Sequence, residues 1–165
     1  MADEAFYKHL KIYGSKGAPA PDRIREIEML LEVSLPVDFL EFLNAANGGY
    51  FEYCVDAEGD TFNFGNVYHA GKDASGNYGF GSLVGEIERA RRAFPDIPMQ
   101  VVPFARDGGG SYVFLDLTET GGGRVVAFVQ GLPEWTGKSQ EDRFIEIAPS
   151  FGEFIDMHYE CPDMI

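Results

Sequence analysis

The residues able to do chemistry in this chain of 165 are few: two cysteines, three histidines and a surplus of carboxylates. His158 and Cys161, in His-Tyr-Glu-Cys, offer two metal ligands three residues apart. A structural zinc takes four ligands, so the pair alone does not make a site. Cys54 lies inside the apolar run Tyr-Phe-Glu-Tyr-Cys-Val. Reactive thiols sit in electropositive, partly exposed surroundings, so Cys54 reads as a buried structural thiol. His69 falls in a glycine-rich passage; neither it nor His158 belongs to a recognisable triad order, and no Gly-x-Ser-x-Gly elbow occurs. Asp56, Glu58 and Asp60 alternate as calcium ligands do, but the loop lacks the glutamate of the twelfth position. A solvated acidic turn is the better reading. With no carboxylate pair standing out, the expectation is a protein without catalytic residues, metal or cofactor.

Glycine is the other chemical signal. Gly108–Gly110 and Gly121–Gly123 are two triple glycines among hydrophobic runs. A phosphate-cradling loop needs a strand, the glycines, then a helix whose amino end faces the anion. Both runs lead into strand-like sequence instead, Ser111–Leu117 and Arg124–Gln130, without the lysine and hydroxyl of a nucleotide loop. They read as turns between strands.

The elements around these residues follow from spacing. Residues 1–21 begin polar and continue Gly-Ser-Lys-Gly-Ala-Pro-Ala-Pro, which reads as a loose arm. Ile24, Ile27, Leu30 and Leu31 then recur at helical spacing. Pro36 and Asp38 suit the start of a second helix, Phe39, Phe42 and Leu43 its buried stripe, and Gly48 and Gly49 its stop. Two strands flank Asp-Ala-Glu-Gly-Asp. The passage Gly65–Gly81 reads as a long exposed loop. Ser82 can cap a third helix. Three strands follow, then a polar loop carrying Trp135, a short strand 143–147 and a last helix with a Ser150–Glu153 capping box. Strands joined by short glycine turns make an antiparallel meander. The fold class is α+β: a mostly antiparallel central sheet with two N-terminal helices, a mid-chain helix and a C-terminal helix, in one domain with its core at about residues 22–158.

Charge narrows the partners. Acidic residues outnumber basic ones 27 to 13, for a net charge of −14. Such a field repels phosphate backbones and anionic lipid and attracts basic proteins. Direct nucleic-acid or membrane binding is not expected. No signal peptide opens the chain and no apolar run nears the ~20 residues of a membrane span. A cytoplasmic protein is expected, with no disulfide framework from two cysteines. Two surface loops collect the charge: Asp56, Glu58 and Asp60 in one; Glu134, Trp135, Glu141 and Asp142 in the other. Asp107 adds a carboxylate at the head of its glycine run. Trp135 either anchors a partner or packs over the sheet edge.

Three stretches, taken together, resemble the signature of the SUKH superfamily, known also through a fungal regulator of cell-wall synthesis. The first holds Leu35, Pro36, Asp38, Phe39, Phe42, Leu43, Asn47, Gly48 and Gly49; the second Asp107, Gly108, Gly109, Gly110 and Asp116; the third Ala148, Ser150, Phe151, Glu153, Phe154 and Ile155. The resemblance implies an α+β fold and an immunity protein, one that neutralises a cognate toxin domain of nuclease or deaminase type by binding it. It carries over no catalytic residue. Against this stand a regulatory interaction module of the same fold and a small hydrolase with carboxylates between Asn-Gly-Gly and Asp-Gly-Gly-Gly. The oligomeric state and the role of Gly65–Gly81 stay open.

Overall fold

A computed structural model describes residues 4–72, 75–107, 111–137 and 140–161. In chain order the elements are β1 (Glu4–Tyr7), β2 (Leu10–Tyr13), α1 (Pro21–Leu31), α2 (Val37–Ala45), β3 (Gly49–Ala57), β4 (Asp60–Val67), α3 (Leu83–Ala93), β5 (Val101–Asp107), β6 (Tyr112–Asp116), β7 (Arg124–Val129), β8 (Arg143–Ala148), α4 (Phe151–Asp156) and β9 (Tyr159–Glu160). The strands form one sheet in the order β1 to β8, with β9 beside β3, and every strand pairing is antiparallel. The expected fold class and its four helices are therefore present.

Residues 4–13 are not part of a loose arm. Leu10 and Ile12 are fully buried, and β1 and β2 form a hairpin that extends the sheet. β2 meets β3 at Tyr50, and β9 takes the same edge of β3 further along, at Tyr53 and Cys54. The core lies between the sheet and the helices α2 and α4. Phe39 and Phe42 of α2 meet Phe151 edge-on at 5.1 and 5.2 Å, and Phe104 of β5 touches both Phe151 and Phe154 at 5.6 Å. Such ring pairs contribute about 0.5–1.5 kcal/mol each beyond their buried area. Asp38 locks the two helices together, its Oδ2 accepting the Gly152 amide at 2.9 Å, one of the free donors at the start of α4. Ser82 and Ser150 cap α3 and α4 through side-chain oxygens that accept the amides of Gly85 and Glu153.

Gly48 and Gly49 do not end α2. That helix stops at Ala45, with Ala46 extended and Pro36 as cap rather than first helical residue. The glycines serve close approach instead: a Cβ on Gly48 would stand 2.7 Å from Cβ of His69, and both have positive φ. The second triple glycine also divides its work. Gly122 and Gly123 take the left-handed turn (φ +62° and +90°), while a Cβ on Gly121 would run into the Asp116 carboxylate. The first triple glycine, Gly108–Gly110, lies outside the described residues. The passage after β4 is fastened where it begins and ends. Tyr68 and Ala70 are buried, and His69 bonds by its backbone to Gly81 and Leu83 at 2.9 Å each.

Cys54 is buried as expected, but it is joined to Cys161, with Cα atoms 5.1 Å apart, which corrects the expectation of two unpaired cysteines. The bridge fastens β9 to β3 and closes a loop of 107 residues. His158, just before β9, is 4 % exposed among the rings of Phe51, Tyr53, Phe64 and Phe154. Its Nδ1 donates to the Phe154 carbonyl at 2.8 Å, and its Nε2 is buried without a partner among the described residues. No helix among those residues is long and apolar enough to cross a membrane.

Two outcomes follow. Chain-entropy reasoning for so long a loop predicts that reduction of the bridge, or Cys161→Ser, costs about 4–5 kcal/mol, read as a lowered urea midpoint. Burial depresses the His158 pKa from its ordinary 6.5 to about 4. The unfolded chain then binds the extra proton first. Stability is complete above about pH 6.5 and falls by roughly 3 kcal/mol as pH drops toward 4, a loss that His158→Gln removes in urea titrations at pH 4.5 and 7.

Candidate functional site

The turn of the β3–β4 hairpin carries the first acidic loop. Glu58 sits at its tip with φ +50° and no charged partner among the described residues. Asp56 accepts the hydroxyls of Thr61 and Tyr159, each at 2.7 Å, and these hold its carboxyl below the usual range. Asp60 pairs with Arg143 of β8 at 2.7 Å. That last contact decides the site. β8 ends the strand order, four places from β4, yet the sheet curls enough for β8 to touch β3 and for Arg143 to reach Asp60.

The loop that precedes Arg143 is thereby drawn to the same end of the molecule. It holds Glu134 and Trp135, in a single 3-10 turn, and then Glu141 and Asp142. Asp142 accepts the Gly131 amide at 2.7 Å, which shapes the loop. Trp135 is 86 % exposed, so it does not pack over the sheet edge. The Arg143–Asp60 pair thus brings the end of the second acidic loop, at Asp142, beside the turn of the first, and Trp135 stands exposed in that second loop. Asp107 ends β5 opposite Phe64 of β4 and accepts the Ser111 amide at 2.8 Å.

The motif residues do a different job. Leu35, Phe39, Phe42 and Phe151 are core, and Ser150 is a cap. Asp116 is 5 % exposed and takes Thr118 and Arg124 as partners, at 2.6 and 2.8 Å. Burial raises its pKa, but these two partners outweigh it and hold the carboxylate charged. The Asp116–Arg124 pair lines a cavity of about 690 Å³ on the sheet, with Phe94, Val126 and Phe144 around it.

A second network went unnoticed in the sequence. Glu86 of α3 is 2 % exposed and binds Arg89 at 2.7 Å and Arg106 at 3.4 Å. Arg106 in turn donates to the hydroxyls of Tyr68 and Tyr112 at 3.2 Å each. Burial, then Glu86, raises the Tyr68 pKa. The signal was present: Leu83, Glu86, Ile87 and Ala90 follow the buried 0, 3, 4, 7 spacing, and a carboxylate in such a stripe requires partners. Glu86 is the one carboxylate among the described residues of the cavity beside Asn47, Gly48 and Gly49, and both arginines already hold it. Among the described residues no three His, Cys, Asp or Glu side chains gather as a metal would require.

A protein-family model described as SMI1 / KNR4 family (SUKH-1) matches residues 18–157, and the chain belongs to that family. Membership supports a protein-interaction domain of immunity or regulatory kind. No curated protein matches the chain.

Removing the buried carboxylate strands two guanidinium groups. Glu86→Ala is expected to cost about 3–5 kcal/mol in urea denaturation, and Glu86→Gln less, because the amide oxygen still accepts.

Proposed function

We propose that this SUKH-1 chain is an immunity protein that neutralises a cognate toxin domain by stoichiometric binding, without catalysis. The toxin is basic, of nuclease or deaminase type. The observation that supports this most directly is the ion pair that joins the two acidic loops, Asp60 of one to Arg143 at the end of the other, which also carries an exposed Trp135. A toxin that acts on nucleic acid must attract phosphate, so its active-site cleft is positive. An acidic end on a protein of charge −14 is complementary to such a cleft and speeds the encounter. Trp135 supplies what charge does not: apolar area that is desolvated on contact and slows dissociation. Asp56, Asp60 and Asp142 are held in place by Thr61, Tyr159, Arg143 and the Gly131 amide, so little ordering cost remains for them on binding.

The test is titration calorimetry against the toxin domain encoded beside this gene, at two salt concentrations. Tight one-to-one binding that weakens with salt is expected. Trp135→Ala should weaken it about thirtyfold or more, as loss of a buried aromatic anchor does. Glu58→Lys combined with Glu134→Lys should slow association about tenfold at low salt. No binding to that domain, with capture of cytosolic proteins of unrelated kind, would favour the regulatory module instead.

A further inference from the structure

The β3–β4 hairpin has a second end. Some eight residues from its acidic turn, roughly 25 Å along the strand, lies a cavity of about 370 Å³. Its walls come from Lys16, the Asn47-Gly48-Gly49 turn, Tyr50, His69, Phe80 and Arg106, with Glu86 at its base. The charge here opposes that of the chain as a whole. Lys16 has no ion pair among the described residues. Arg106 uses Nε and one Nη on Tyr68, Tyr112 and Glu86, and its other Nη has no partner among the described residues. The single lining carboxylate, Glu86, is already neutralised by Arg89 and Arg106. His69 forms part of the wall, its buried Nδ1 turned toward Gly71 and away from the lining.

The walls are built rather than incidental. Asn47 donates to the Gly17 carbonyl at 3.0 Å and accepts the Ala70 amide at 2.7 Å, which fixes the turn against the chain on both sides. A Cβ on Gly48 would stand 2.7 Å from the His69 Cβ, closer than a side chain tolerates. Tyr50 and Phe80, 50 % and 86 % exposed, supply aromatic faces at the rim, and Arg89 lies 4.2 Å over the Phe80 ring. A volume of this size suits a small organic molecule rather than a lone ion.

We propose that this cavity binds a small organic oxyanion, a carboxylate or phosphate carried on an aromatic or apolar body. The charged head sits among Lys16, Arg106 and His69; the body lies against Tyr50 and Phe80. Lys16 and the free Arg106 nitrogen furnish charge-assisted hydrogen bonds, and the Glu86 pairing keeps the Arg106 guanidinium in position. This site stands apart from the acidic end and does not depend on the toxin-binding reading.

The experiment is a titration of the 15N-labelled protein with benzoate and with phenyl phosphate, each to about 10 mM, which detects millimolar affinities. Benzyl alcohol is the neutral control. Saturable shifts at the amides of Gly48, Gly49, His69 and Gly81 by at least one oxyanion, and none by the alcohol, are expected. The stronger of the two identifies the head group. Lys16→Gln, which alters no contact of the fold, should weaken binding about tenfold or more with Tm unchanged. Glu58→Lys, at the far end of the hairpin, should leave it as it was. Absence of shifts with both oxyanions, equal shifts with the alcohol, or binding indifferent to Lys16→Gln would each overturn the proposal.

Discussion

The packing of phenylalanine rings between two helices and the sheet is the constraint from which the rest follows. Phe39 and Phe42 from α2, Phe151 and Phe154 from α4, and Phe104 from β5 meet edge to face in a layer closed to water. These rings have few ways to interlock, so they set where α2 and α4 cross the strands. The Asp38 bond to the Gly152 amide then ties the two helices end to end. With the helices on this one face, the sheet is free to curl. The curl brings β8 back toward β3 and β4 and makes the Asp60–Arg143 pair possible.

β3 is the spine of this arrangement. It pairs with β4 along one edge and shares its other edge between β2 and β9. The disulfide at Cys54 secures β9 there, and Tyr159 of that strand reaches Asp56 in the acidic turn. The C-terminal strand therefore shapes the acidic end although it contributes only two residues to the sheet. Disulfides persist in oxidising compartments and are rare in the cytosol.

Charge in this molecule is sorted by depth. At the hairpin turn Glu58 faces solvent, so its field acts outward at little cost, while Asp56 and Asp60 are partly satisfied by Thr61, Tyr159 and Arg143. Glu86 and Asp116 are buried, and each is held by arginine. Such buried pairs add little net stability, since the desolvation penalty cancels most of the attraction. Their effect is on position: Arg106 and Arg124 are fixed where a free side chain would wander. The acidic excess and the local cationic cavity coexist because one lies at each end of the same hairpin.

Much of the fold was legible in the chain. Helical spacing located α1 to α4, and hydroxyl residues at 82 and 150 marked two starts, because these signals act within a single turn of backbone. The strands from β3 to β8 were legible through β-branched and aromatic runs cut by glycine. β1 and β2 were missed because their turn passes through Lys8 at φ +53° instead of glycine. The bridge was missed because its halves stand 107 residues apart, a separation that says nothing about pairing. The candidate site divides in the same way. The sequence by itself determined which loops are acidic and that Trp135 stands among carboxylates. Only the tertiary structure decided that Asp60 of one loop meets Arg143 at the end of the other, and that Lys16, His69 and Arg106 line one cavity. Composition and periodicity are local properties of a chain, whereas those meetings depend on how far a sheet curls, which the packing of its whole core sets.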